Sequence, residues 1–330
     1  MSNRRLALVL STFAAIATAP ALAGAGEATP EALVDALNAV FGKHKGLRAS
    51  HAKGVCAEGR WLPTAEARAL STSPLFAGEG RVTARFSMAG GNPKVSDKSR
   101  TPRGLALHIE LPGGTEHDFV MLSAPVFAAK DPDTFLGLLR ARAPDPATGK
   151  PDPEKAKAFM EAHPDTKVQP AYMAKAPITA SYATTPYWAI HTFWLVDAQG
   201  AKKPVRWSFV PEAGTVGLSE EEQKQKSDDY LAAELHERTA KGPAAWTVRL
   251  HLGAAGDPLD DPTATWPEDR PTVTVARLEI TRAAAPGEKG ACDPLMFRPD
   301  NLAAGFEPSN DPILGIRTAA YAVSLARRME

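Results

Sequence analysis

Two cysteines in 330 residues, Cys56 and Cys292, leave few thiol-based options. Neither stands in a Cys-x-x-Cys or Cys-x-x-Cys-His arrangement, which excludes thiolate zinc sites and a cofactor attached through paired thioethers. In an oxidising compartment the two can pair, and two free buried thiols fit the sequence as well. Charge of either sign is not in excess. With 38 basic and 38 acidic side chains the formal net charge is zero, so there is no electrostatic ground for binding nucleic acid or an anionic membrane surface. The one long apolar run, Leu6 to Ala19, is too short to span a bilayer comfortably. Internal repeats are lacking too.

The amino terminus holds Arg4 and Arg5, the Ala-rich run, and the small-x-small triplet Ala21-Leu22-Ala23 ahead of Gly24-Ala25-Gly26. That order is the pattern of a secretory signal peptide. Residues 1–23 are expected to be removed, leaving 24–330 as a single domain in the periplasm. Within it, 29 prolines and 25 glycines in the whole chain imply many connections. Thr29-Pro30-Glu31 opens a helix to about Lys43. Strand-like runs are expected at 46–53, 81–88, 104–111, 117–122, 188–196, 205–210, 245–252 and 272–281. Helices are expected at 64–70, 131–142 and 153–163, and from the capping box Ser219-Glu220-Glu221-Glu222 to about Thr239. Eight strands joined largely by turns point to an α+β fold: an antiparallel eight-stranded β-barrel with added helices and little interior space.

The most informative stretch runs from Asn310 to Arg328. Asn310 or Asp311 can cap a helix, Pro312 fits its first turn, and Arg327 and Arg328 suit its carboxyl end. At about 100° per residue, Arg317 and Arg328 fall on nearly the same face as Tyr321. Neighbouring positive charge favours a phenolate, and a phenolate can ligate ferric haem iron. A tyrosine packed under the core with arginine ion pairs at its rim fits the same pattern. Upstream, Arg48 and His51 lie three apart, so on a strand they would face opposite sides unless a bulge intervenes. Ser87, in Arg85-Phe86-Ser87, is placed to hold a ring nitrogen of His51.

From Leu47 to Arg328 these blocks follow one order: Arg48-x-x-His51-Ala-x-Gly, Arg85-Phe-Ser87, Pro102-Arg-Gly104-x-Ala, Asp118-x-Val, Pro125-Val-Phe127, Asp131-Pro-x-x-Phe135 and His191-Thr-Phe193. Phe297-Arg-Pro-Asp-Asn301, Gly305-Phe-Glu-Pro-Ser309 and Arg317-x-x-x-Tyr321 complete the series. In that order the chain resembles the haem catalase superfamily, and specifically a short, exported catalase-related peroxidase without the arm or tail of larger relatives. The resemblance implies non-covalent haem b with Tyr321 as iron ligand, Arg317 supporting the phenolate, and Arg48, Arg85 and Arg328 pairing with the propionates. Phe135 would stack on the distal haem face, and His51, aided by Ser87, would move the peroxide proton. Peroxide and a small organic electron donor are the implied partners, and monomer or homodimer the implied assembly. One departure stands out. Where the family's Asp-x-Val-Gly motif is followed by an asparagine that orients peroxide, this chain has Met121 and then Leu122; Ser50 also replaces a common valine. Donor oxidation is therefore expected to outweigh oxygen release. A true catalase, a fatty-acid hydroperoxide lyase or isomerase with a greasy channel drawn from Met88, Met121, Leu122 and Phe127, and a periplasmic haem carrier remain alternatives.

Overall fold

Val82, Ala84, Phe86 and Met88 alternate with Thr83, Arg85 and Ser87, the period of a strand whose two faces meet different surroundings. In the computed structural model, which describes residues 28–330, this run is part of a closed sheet. The expected signal peptide, residues 1–23, lies outside the described residues. The strands are β1 (Gly54–Pro63), β2 (Gly80–Met88), β3 (Arg103–Glu110), β4 (Glu116–Leu122), β5 (Tyr187–Val196), β6 (Lys202–Pro211), β7 (Ala244–Leu252), β8 (Thr272–Ala283) and the short β9 (Phe306–Pro308). Their order is β4-β3-β2-β1-β8-β7-β6-β5-β9, and a β4–β5 pairing at Leu122 and Trp188 closes eight of them into an antiparallel barrel.

Register decides what lies inside. Val55, Phe86, Leu105 and Met121 form one registered row across β1–β4, Tyr187, Phe209 and Val248 another across β5–β7, and all are buried in the barrel core. Trp61, Trp207 and Trp246 fill the same interior, with Trp61 and Phe119 stacked at 5.6 Å. The barrel is packed solid, so any chemistry has to sit on its outer face or beyond its ends.

The described α-helices are α1 (Pro30–Phe41), α2 (Ala65–Leu70), α3 (Pro74–Ala77), α4 (Pro132–Arg142), α5 (Pro153–Ala162), α6 (Val168–Lys175), α7 (Glu220–Gln225), α8 (Tyr230–Lys241) and α9 (Pro312–Met329); α2 and α8 pack on β8 and α3 on β1, while α1 packs on α4 and α9. Thr29 caps α1 by accepting from Ala32 N–H, and Asp131 caps α4 by accepting from Thr134 N–H. A small apolar cluster, Leu33, Ala36, Leu136 and Leu139 with Phe135 and Ile316 against it, joins α1, α4 and α9. None of the described helices is long and apolar enough to cross a membrane.

Two expectations change. The first strand is not 46–53 but Gly54–Pro63; residues 46–53 are turns and bends, because the tertiary contacts of Arg48 and His51 replace ladder bonds. The helix begun at Ser219 stops at Gln225, and a separate helix starts at Tyr230. Cys56 on β1 and Cys292 are joined in a disulfide across 236 residues, with Cα atoms 5.4 Å apart.

Candidate functional site

A second registered row runs on the outer face: Gly54, Ser87, Gly104, Leu122, Trp188 and Ser208. His51 leans onto it. Its Nδ1 lies 2.9 Å from Ser87 Oγ. A Cβ on Gly104 would lie 2.6 Å from Ser87 Oγ and 2.7 Å from His51 Nδ1, so only glycine leaves room for the pair. His51 has φ +56°, a left-handed conformation uncommon for a residue with a side chain. Arg85 holds that backbone in place, donating to the carbonyls of His51 at 2.9 Å and Ala52 at 3.2 Å. Burial and then the charges of Arg85, Arg317 and Arg48 push the His51 pKa down to about 3, so the ring is neutral at ordinary pH.

Leu122 follows Gly104 in the outer row, about 10 Å from Ser87 at ~4.8 Å per strand. Its neighbour Ser123 does not substitute for a missing polar group there, because Ser123 Oγ is buried and accepts from Arg103 N–H at 2.9 Å. Met88 and Met121 are buried in the barrel core, which removes both from any apolar channel along the outer face.

Tyr321 sits on α9. Arg317, one turn earlier, donates to its phenol oxygen from Nε at 2.9 Å and from Nη2 at 2.6 Å. The third donor, Nη1, reaches His191 Nε2 at 2.6 Å. Because arginine only donates, His191 Nε2 accepts, which puts the ring proton on Nδ1, where it donates to Asp311 Oδ2 at 2.6 Å. The other carboxylate oxygen of Asp311 caps α9, accepting from Ile313 and Leu314 N–H. One aspartate thus starts the helix and ends the chain that holds its tyrosine. Burial, only partly offset by the Asp311 hydrogen bond, lowers the His191 pKa to about 4. The register shift between Ala189 and Phe193 turns His191 towards α9 while Ala189 and Phe193 stay in the core.

The third group is a cluster of cations. Arg48 Nη2 donates to the carbonyls of Cys292, Asp293 and Leu295, and Arg328 Nη2 to those of Pro294 and Leu295. Ala49 N–H donates to Ser324 Oγ of α9, which ties the His51 segment to the tyrosine helix. Among the described residues, no carboxylate pairs with Arg48, Arg85 or Arg328 within 4.0 Å. Burial and mutual repulsion lower the pKa of Arg48 to about 9, and burial that of Arg85 to about 10. Clustered guanidinium groups that form no ion pair with a carboxylate of the described chain make a receptor for anions from outside it.

Seven of the eight residues singled out in the sequence therefore gather: His51, Ser87, Arg48, Arg85, Arg317, Tyr321 and Arg328. Arg317 links the halves, since it holds the phenol and also depresses the pKa of His51. The Phe135 ring lies 5.1 Å from Phe127 and packs against the apolar cluster that joins α4 to α9, beside Ile316. Sequence reasoning used Asp311 only as a cap and His191 only as a motif member, and it gave Gly104 no role. A phenol oxygen bonded on one side by guanidinium, a neutral imidazole, and three cations suited to two carboxylates are one donor set that fits an iron porphyrin.

A sequence model described as Catalase matches residues 33–330. The chain is 41% identical over 327 residues to a catalase-related peroxidase of Synechococcus elongatus, covering 98% of this chain and 96% of that protein. It is 33% identical over 305 residues to a catalase-related peroxidase of Mycolicibacterium paratuberculosis, covering 92% and 96%. Among solved structures, a fungal catalase superposes with a TM-score of 0.78 at 24% identity, covering 87% of this chain and 60% of that one.

Proposed function

The chain belongs to the catalase family and is an oxidoreductase acting on peroxide, and on that premise we propose a haem-dependent peroxidase that reduces hydrogen peroxide or organic hydroperoxides with an organic electron donor and evolves little oxygen. The observation that carries the finer reading is Leu122, an apolar side chain on the outer row that bears the His51–Ser87 pair. A leucine neither donates nor accepts, so a second peroxide arriving as reductant finds no amide to orient it.

Haem b, when bound, supplies an iron that peroxide can oxidise. Tyr321 would ligate it through the phenol oxygen that Arg317 already holds on one side. Arg48, Arg85 and Arg328 would clamp the propionates, and Phe135 would contribute apolar ring surface on the His51 side. Attachment would be non-covalent, a reading supported by the engagement of both cysteines with each other, which leaves neither for a thioether. His51 works at Nε2. In the tautomer that donates Nδ1–H to Ser87 Oγ, Nε2 is free to take the proton from one peroxide oxygen and return it to the other, which leaves as water. A pKa of about 3 keeps that nitrogen unprotonated until peroxide arrives. The amino-terminal pattern and the disulfide support a periplasmic setting.

The test is a peroxide assay of the haem-loaded protein with a chromogenic donor, read beside an oxygen electrode. Donor oxidation is expected to dominate in the wild type, and Leu122→Asn is expected to raise oxygen release relative to it. Oxygen evolution as the main reaction of the wild type would overturn the reading.

A further inference from the structure

The disulfide sits at the hub of the arginine cluster. Cys56 is directly opposite Arg85 in the β1–β2 ladder, and directly opposed residues share a face, with Cβ atoms about 5 Å apart. Cys292 begins the four-residue run whose carbonyls receive every hydrogen bond described for the guanidinium groups of Arg48 and Arg328. Close packing reinforces the junction. A Cβ on Gly290 would lie 2.5 Å from Cys56 Cβ, and Gly290 N–H donates to Asp293 Oδ2. Asp293 is also the acidic group whose charge offsets those of Arg48, Arg85 and Arg328. One covalent bond thus fixes the distance between the strand position of Arg85 and the carbonyl rack that aims the other two arginines.

We propose that Cys56 and Cys292 are a positioning pair for cofactor retention: their bond holds 292–295 in register with β1, so that three guanidinium groups converge on the carboxylates of the bound porphyrin. This rests on the haem reading above. The described side-chain hydrogen bonds of His51 and Tyr321 go to Ser87 and Arg317 and not to the run 292–295, so the effect of the disulfide falls on the carboxylate edge of the cofactor and not on the iron ligand. Breaking the bond needs a reductant. A phosphine supplies the two electrons and becomes its oxide, water supplies the oxygen and two protons, and two thiols remain. The run 292–295 then keeps its carbonyl contacts, the Gly290–Asp293 turn and the packing of Leu295 on the core but loses its covalent tie to β1, and Arg48 and Arg328 lose their fixed aim.

The test compares two porphyrins: haem, and haem whose propionates are methyl esters and carry no charge. Each is loaded into the wild type and into Cys56→Ser/Cys292→Ser, and its loss to excess apomyoglobin is followed by Soret absorbance. The double variant is expected to lose haem on the order of tenfold faster, as when groups supporting a ligand are removed. The ester is expected to leave wild type and variant at rates within about twofold, because no carboxylates remain for the arginines to hold. Should the variant not fold, loaded wild type is reduced with the phosphine, the freed thiols are counted by alkylation, and the same two rates are measured. Equal acceleration for both porphyrins assigns the disulfide to general stability and overturns the inference; so does no acceleration for either. If the wild type forms no Soret band with either porphyrin, the haem reading falls and takes the inference with it.

Discussion

At the scale of single residues, neutrality is what burial enforces on the imidazoles of His51, His117 and His191. His51 is expected to matter most for the peroxide step: His51→Ala should slow the peroxide-induced change of the Soret band by about 10²–10⁴, the usual worth of a placed acid–base group. Ser87→Ala should cost less, since it loosens the ring without removing it. Stopped-flow spectra of the two variants provide the comparison. His117 makes a separate prediction about stability. Its ring is buried in the barrel wall, Nδ1 accepts from Ala303 N–H, and burial lowers its pKa from 6.5 to about 3. Between those values the unfolded chain binds a proton that the folded chain refuses. Stability should therefore fall as pH drops from about 6.5 towards 3, and it should recover on returning to neutrality. Urea titrations across that window should show the decline, and His117→Asn should flatten part of it.

At the scale of elements, strand register and helix capping do most of the placing. The outer row brings Ser87, Gly104 and Leu122 side by side from three strands. Gly104→Ala is expected to push His51 off Ser87 and to slow the peroxide reaction as much as Ser87→Ala does or more. Circular dichroism should meanwhile show the sheet intact. Much at this scale was legible in the sequence. Alternation in 81–88 gave β2, Asp311-Pro312 gave the start of α9, and Arg317 with Tyr321 one turn apart gave their contact. What was not legible has local causes. Residues 46–53 carry strand-like side chains, yet the left-handed turn at His51 is imposed by Arg85 from another strand. Nothing local in His191-Thr192-Phe193 announces the register shift that sends His191 to Asp311, 120 residues away.

At the scale of the whole molecule, closure and cross-linking join distant parts of the chain. The barrel closes at Leu122 and Trp188, and the disulfide joins β1 to a segment 236 residues later. In the chain-entropy picture a loop that long contributes up to about 5 kcal/mol by restricting the unfolded state. Reduction should lower the thermal midpoint of the cofactor-free protein, as scanning calorimetry with and without reductant would show. The pairing of Cys56 with Cys292 was open in the sequence because no local pattern records proximity across such a separation. The barrel was legible as a count of strands, but not which face carried the chemistry, since a packed interior and a reactive exterior are built from the same alternating runs. That alternation sorts the ways this enzyme can be damaged. Phe119 and Met121 are buried in the core while Leu122 lies on the outer row, so changes at the first two are expected to spoil folding and a change at Leu122 to alter reactivity, and two adjacent codons on one strand then belong to different phenotypes.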